Sequence, residues 1–435
     1  MRSYFLFLLI VVVSACAGGE GMREHDAMIA TLGRFDRDRP AQLVDEVVLG
    51  ATALDRAQLV AAVLARNPDL DAARATWRAA VAAYPSAVTI DDPRLTYEVA
   101  PFSIGSSVPF GQRVELSQKL PYPGKRTAAG DAALASADAA EADYETLRLE
   151  LAEAAVHAFD DDYVAARALE VNTHHHELID RIYKSATAQY TVGKASQQDP
   201  LEAEAELIAL DRERLMLETQ QRTATARINR LLRRPADAPL PPPPARLEIV
   251  AEAGEGSARH PKLVAAEARI RGRAAEIAGS RRDFYPDLEL MGSYDSMWSD
   301  WQHRIMIGVG VELPLERSGR RASVEHAEAE QAKATAELAS VTDMLAEDRD
   351  LARRAIVEAR ADLELDEKRA LPTARARVDA GLAGFTAGQT PFSTVVRAEH
   401  ALRDVELRVE QTRADLDRRI ATLDRLSGRI AGGVR

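Results

Sequence analysis

The chain is almost without cysteine. A single Cys16 in 435 residues excludes a disulfide framework and any cysteine-rich zinc module. Aromatics are scarce as well, at 5% against a hydrophobic content of 46%, and runs such as Ala132-Ala133 and Ala139-Ala140 show alanine making up much of the difference. So large an apolar fraction excludes global disorder. Alanine favours helix and lets helices approach closely. Positive charge is in the minority: 56 Lys and Arg face 68 Asp and Glu, a net of −12. That excludes a nucleic-acid partner held on a basic face. Beyond the N-terminus no run of 18 apolar residues occurs, so no membrane-spanning helix is expected. Catalytic signatures are missing too. There is no G-x-S-x-G, Walker A, H-E-x-x-H or dinucleotide fingerprint, and carboxylates alternate with arginine on helix faces, as in Glu347-Asp348-Arg349-Asp350. The expectation is a protein with no catalytic residue, no cofactor and no resident metal.

What is present begins with an address. Arg2 precedes an apolar run from Tyr4 to Val13, the pattern of a secretory signal and too short for a membrane span. Val13-Ser14-Ala15-Cys16 resembles a bacterial lipobox, which implies a signal peptide over residues 1–15 and lipidation of Cys16. Ala17 follows in place of the Asp linked to inner-membrane retention, which by the same resemblance implies the outer membrane. Acyl chains contribute about 0.8 kcal/mol per buried CH₂ and give a stable anchor.

The chain is then written twice. Asn67-Pro68-Asp69-Leu70 recurs as His260-Pro261-Lys262-Leu263, Pro93-Arg94-Leu95 as Pro286-Asp287-Leu288, and Leu120-Pro121 as Leu313-Pro314, each 193 residues on. Tyr190-Thr191-Val192-Gly193 recurs as Phe385-Thr386-Ala387-Gly388, and Ala203 and Leu207 as Ala398 and Leu402, at 195. The stiff polyproline run at Pro239–Pro244 separates the copies. The expected division is a signal peptide (1–15), an N-terminal segment (16–54), a first repeat (55–238), a proline-rich linker (239–257) and a second repeat (258–435). Each repeat reads helix, strand pair, very long helix, helix. The helices are expected over 55–83, 126–190 and 198–232, then over 258–284, 322–387 and 395–431. The strand pairs are expected from Pro93 to Pro121 and from Pro286 to Pro314.

The strand evidence is strongest where Ile305, Ile307, Val309, Val311 and Leu313 alternate with Met306, Gly308, Gly310 and Glu312, a period of two. Val114 and Leu116 alternate with Glu115 and Ser117 in the first copy. Each strand pair has room for two strands of about ten residues, the length that crosses a bilayer. Tyr294, Trp298 and Trp301 stand where interfacial aromatics belong. The long helices, about 65 residues each, would run roughly 100 Å and must pack side by side. Small and apolar residues at steps of three and four, such as Leu147, Leu151, Ala154 and Ala158, suit coiled-coil-like contact. Pro372 is expected to kink the second long helix. The fold class is thus mainly α with a small β part. Four strands cannot close a barrel, and an open edge in lipid leaves backbone groups unsatisfied, so several chains must share one barrel.

The lipobox, the duplication, Leu120-Pro121-Tyr122-Pro123-Gly124-Lys125-Arg126 and the turn Tyr190-Thr191-Val192-Gly193-Lys194 together resemble the TolC-like outer-membrane efflux family. The first of those segments is most similar to its cation-efflux branch. The resemblance implies a homotrimer with a 12-stranded transmembrane β-barrel and a helical barrel crossing the periplasm. Its partners would be a periplasmic adaptor (membrane fusion protein), an inner-membrane RND transporter and outer-membrane lipid, with no nucleic acid. The duct would conduct passively, with metal cations as the expected cargo.

Site residues follow from that resemblance. Gly193 and Lys194, with Gly388 and Gln389, would form the periplasmic tips that meet the adaptor. Family members often carry acidic gate residues six and nine positions after the second tip glycine; here those positions hold Thr394 and Arg397, a departure from the pattern. The matching residues of the first tip are Asp199 and Glu202, and a pairing of Arg397 with either is expected to hold the tips closed. Pro121, Pro123, Gly124 and Pro314 read as elbows between barrel and helix, because proline cannot donate to a sheet and favours a helix start. Lys125 and Arg126 would face lipid phosphates or water. His174-His175-His176 is expected on a solvated face, since consecutive helical residues diverge by about 100° and cannot converge on one ion. A periplasmic coiled-coil adaptor and a metal-binding lipoprotein are the alternatives. The two matched strand pairs argue against the first, and the divergent histidines against the second.

Overall fold

The computed structural model describes residues 19–37, 52–101, 110–249, 259–298 and 300–432. The expected signal peptide 1–15 and Cys16 lie outside them. The elements in chain order are α1 (Gly19–Arg37), α2 (Arg56–Arg66), α3 (Pro68–Val88), β1 (Arg94–Ala100), β2 (Gly111–Leu120), α4 (Lys125–Thr191) and α5 (Gln198–Leu231). There follow α6 (Pro261–Arg282), β3 (Asp287–Asp295), β4 (Ile305–Glu312), α7 (Arg317–Leu365), a π-helical turn (Asp366–Ala370), α8 (Leu371–Thr386) and α9 (Phe392–Leu426). Both repeats therefore carry the expected order, and each strand pair is bracketed by its prolines.

Two compact units form, and each draws on both repeats. One takes Ala73–Tyr144 and Lys262–Thr342 with the described residues before Asp38; the other takes the rest, with Glu145–Pro261 and Asp343–Arg435 as its main parts. The copies meet where β-strands pair across them and where the two tip hairpins share a core.

In the first unit the four strands make an antiparallel meander in the order β1-β2-β3-β4. Strands β2 and β3, one from each repeat, join the copies. Opposed residues share a face, and the register puts most apolar residues on one face, with Gln112 and Gln118 among them, and most charged residues on the other, with Met291 and Met306 among them. Leu95 faces Leu116 and Tyr97 faces Val114; Val114 faces Tyr294; Leu290 faces Val309, Gly292 faces Ile307 and Tyr294 faces Ile305. On the other face Glu98 opposes Arg113, Glu115 opposes Ser293, and Lys119 opposes Glu289. The apolar face is exposed: Ile307 is 82% exposed and Leu95 68%. Trp298 and Trp301, beyond the end of β3, are exposed as well. Helix α1, which sequence patterning left unassigned, covers the first unit's helical core: its Met28 and Leu32 pack with Trp77, Val81, Tyr84, Leu134 and Ala137.

In the second unit, α7, α8 and α9 share a core through Ile356, Leu363, Val378, Leu402, Val409, Leu416 and Ile420. The polyproline segment lies on this unit: the Leu54 N–H donates to Pro242 O (2.8 Å) and Arg167 Nη1 to Ala245 O (3.2 Å). Two details depart from the expected helices. The first is broken at Asn67, which is extended (φ −66°, ψ 125°) because the ring of Pro68 excludes the helical region for the residue before it. Asn67 Oδ1 then accepts from Asp69 N (2.9 Å) and caps α3. The second long helix absorbs Pro372 in the π turn. Proline supplies no N–H and its ring crowds the carbonyl four residues back. Leu371 N accordingly bonds Asp366 O, one residue further than an α-helix would reach.

Candidate functional site

Both expected tip turns exist, and they are built alike. Gly193 (φ +76°) and Gly388 (φ +71°) are left-handed. Lys194 N bonds Gln189 O (2.9 Å) and Gln389 N bonds Gly384 O (2.8 Å), the six-to-one bond that terminates a helix on a left-handed glycine. A Cβ at either glycine would meet nothing within 4 Å, so the backbone angle alone demands the residue. The two hairpins rest on one core, in which Ile179, Ile182, Ala186, Ala203 and Leu210 of the first meet Phe385, Phe392 and Val395 of the second. The phenyl rings of Phe385 and Phe392 meet edge-on at 5.4 Å.

The expected clasp between the tips is not made within one chain. Arg397 Nε donates to Ser393 O (3.2 Å) and Nη2 to Thr394 Oγ1 (3.4 Å), both on its own helix. Among the described residues no ion pair joins Arg397 to Asp199 or Glu202. Arg397 is exposed, while Asp199, Glu202 and Thr394 are partly exposed.

At the barrel–helix junction, Pro121 and Pro123 flank Tyr122, whose ring stacks on Tyr285 at 4.5 Å. Tyr122 N donates to Asp287 Oδ1 (2.7 Å), and Gly124 takes φ +93°. Pro314 leads from β4 into α7, with Leu315 N bonded to Leu313 O (3.0 Å). Lys125 and Arg126 are not left to lipid or water. Lys125 Nζ lies 2.9 Å from Asp287 and 3.3 Å from Asp283, and Arg126 Nε donates to Val88 O (2.6 Å).

The histidine run corrects a second expectation. His174 is solvent-exposed and His176 Nε2 reaches Asp211 (3.3 Å), but His175 is fully buried. Its Nδ1 is 2.5 Å from Glu399 Oε1 and its Nε2 3.1 Å from Glu406 Oε2. Burial opposes a charge on the ring, yet the two carboxylates outweigh it and push the imidazole up to about 9. Further along α9, Arg413 donates to Glu410 (2.6 Å) and to Glu367 of the π turn, and Tyr163 bonds Glu410. Arg408 reaches Asp366 of the same turn (3.1 Å). The signal was in the sequence. Glu399, Glu406 and Arg413 recur at intervals of seven, and Leu402, Val409 and Leu416, three residues after each, lie on the apolar seam of α9.

A buried carboxylate cluster was also missed. Asp160 is fully buried with neither oxygen hydrogen-bonded, beside the Arg56–Asp417 ion pair and 3.9 Å from Arg418 Nε. Burial and the neighbouring Asp417 push its carboxyl up to about 9. None of these groups makes a nucleophile–base pair in a cleft. Their geometry ties helices together.

Comparison with known proteins agrees. A search of curated proteins finds no match. Among solved structures, the chain is similar to the outer-membrane channel OprN, with a TM-score of 0.75 and 22% identity over 85% of this chain and 89% of that one. It is similar to CusC (TM-score 0.75, 15% identity, 86% and 92% covered) and to the outer membrane protein VceC of Vibrio cholerae (0.72, 18%, 86% and 96%). These likenesses fix the fold. The profile of the outer membrane efflux protein family matches residues 59–232 and again 255–429, both repeats in turn, and the chain belongs to that family.

Proposed function

We propose that three copies of this chain form the outer-membrane duct of a tripartite efflux system, a passive conduit fed by an inner-membrane RND transporter through a periplasmic adaptor. The observation that carries this is the four-stranded meander with a mostly apolar, solvent-exposed face and a mostly charged face opposite. Lipid tolerates such a sheet only when its edges are closed. Strands β1 and β4 pair on one side only among the described residues, and four strands are too few for a barrel. Twelve strands from three copies close it around a lumen, whereas eight from two would fill with side chains. Helical surface in the second unit supports the same association. Leu201, Ile208 and Leu215 on α5, and Met344, Leu351 and Leu365 on α7, are exposed at multiples of seven residues, a seam that suits lateral packing by further helices.

The glycine turns with Lys194 and Gln389 are the docking tips for the adaptor. Arg397, which pairs with no carboxylate among the described residues, is available to Asp199 or Glu202 of a neighbouring copy as a gate contact. Lipidation of Cys16 adds an anchor, with removal of residues 1–15. The cargo we assign is metal cations, on the resemblance of the Leu120–Arg126 segment and the net charge of −12.

Molar mass in detergent, with single-channel conductance in planar bilayers, tests the duct. Three chains per particle and ohmic conductance are expected; a monodisperse monomer without conductance overturns the reading. Reversing Arg397 to Glu should raise the open probability, and an unchanged closed state removes the gate contact. A Cys16→Ser chain should still need detergent for extraction.

A further inference from the structure

We infer that Glu206, Glu399 and His400, on α5 and α9 of the second unit, form a binding site for a borderline divalent transition-metal ion such as Zn²⁺ or Co²⁺. Each residue offers one ligand atom, and the three atoms lie within 4.8 Å of one another. His400 Nε2 is 2.8 Å from Glu206 Oε1 and 3.9 Å from Glu399 Oε2. A tetrahedral ion with bonds of about 2.1 Å separates its ligands by about 3.4 Å, and those two distances bracket that value. One imidazole with two carboxylates, and no thiolate, is a donor set for Zn²⁺, Co²⁺ or Ni²⁺ rather than for a soft monovalent ion.

A second observation points to a ligand independently of that cluster. Glu399 is fully buried, yet its Oε2 has no hydrogen-bond partner, and it lies toward His400 Nε2, which pairs instead with Glu206. A buried carboxylate oxygen left bare costs about 1–3 kcal/mol or more, and an ion satisfies it. The same carboxylate is held from behind. His175 Nδ1 takes Glu399 Oε1 at 2.5 Å, and Glu406 fixes the far side of that imidazole. Such an outer hydrogen bond orients a ligating carboxylate. His400 is 42% exposed on its side chain, which gives an ion a way in. The competitor is Arg403, whose Nη1 lies 3.4 Å from Glu206 and 3.5 Å from Glu213. It neutralises part of the acidic charge but does not reach the bare oxygen in any contact of the structure.

The site does not depend on what the duct carries. It is read by binding to the purified chain without transport, so its failure leaves the duct standing, and the reverse holds too. The untagged mature protein in detergent, stripped with chelator, is titrated with Co²⁺ alone by visible absorption and with Zn²⁺ alone by calorimetry. One ion per chain is expected, with tetrahedral or five-coordinate cobalt bands. Glu206→Gln, which preserves shape, and His400→Gln should each weaken binding at least tenfold, while His174→Ala on the exposed surface should leave it unchanged. Circular dichroism confirms that each variant is folded. Stoichiometry well below one, or binding that survives both ligand variants, overturns the site and leaves His400–Glu206 a plain ion pair.

Discussion

Single residues carry the turns and the proton balance of this protein. At Gly193 and Gly388 the surroundings would accept a side chain, so the cost of substitution is backbone strain alone. Gly193→Ala should destabilise the tip by about 1 kcal/mol and Gly193→Asn by less, because asparagine enters the left-handed region more easily. Tip-directed limited proteolysis reads this, and equal cleavage rates for Ala and Asn variants would contradict it. At Asp160 the folded carboxyl titrates at about 9 against 3.8 for an ordinary side chain. Raised above its unfolded value, the group contributes stability that is complete below pH 3.8 and is lost as pH rises through 9. The slope for one proton is about 1.4 kcal/mol per pH unit. Asp417 and Asp161 raise it further, while Arg418 and Arg56 draw it down. Asp160→Asn removes this group's share of the slope. The variant should gain on the wild type steadily between pH 5 and 8 in urea denaturation, and parallel curves would contradict the assignment. Asp162, pushed up to about 6 by burial, acts in the same direction over a lower range. Glycine turns could be read from the sequence because the requirement is local. The burial of His175 and Asp160 could not, because it depends on which helix lies opposite.

At the scale of elements, the strands were legible because a period of two with prolines at both ends admits one reading. Their two faces now make opposite predictions. Ile307→Arg on the exposed apolar face should cost about 2–4 kcal/mol of barrel stability, while Ser293→Arg on the charged face should be nearly neutral. Refolding into lipid vesicles against urea separates them, and equal midpoints would contradict the orientation of the sheet. Helix α9 offers a parallel case in the helical unit. Arg413→Met removes the closest cation from Glu367 and Glu410, leaving them to Arg246 and Tyr163, and should cost about 3 kcal/mol in thermal or urea unfolding. Neutralising both glutamates in the same chain should return part of that loss. The break at Asn67 and the π turn before Pro372 were only half visible. Proline announces a fault in a helix, but whether the chain breaks or widens depends on what must be bonded there. At Asp366–Ala370 the widened turn presents Asp366 and Glu367 to Arg408 and Arg413.

For the whole molecule, the point of consequence is that the two compact units are not the two repeats. Each unit interleaves elements from both copies, through β2 with β3 and through the shared core of the two tips. Neither half should fold alone. Residues 17–238 and 239–435 expressed separately should give chains that are rapidly degraded, and their co-expression should restore a heat-resistant oligomer on gels; a stable, monomeric half would contradict this. What the sequence by itself determined is local and periodic: the order of elements, the duplication, the strand faces, the glycine turns and the family they resemble. Each rests on spacing along the chain. What the tertiary structure alone decided is the partnering of distant residues, namely the Glu399–His175–Glu406 chain, the bare oxygen beside His400, the buried Asp160 and the docking of α1 on Trp77. A charge is buried or solvated according to the helix packed against it, and that helix is set by cooperative burial over the entire core rather than by any neighbouring residue.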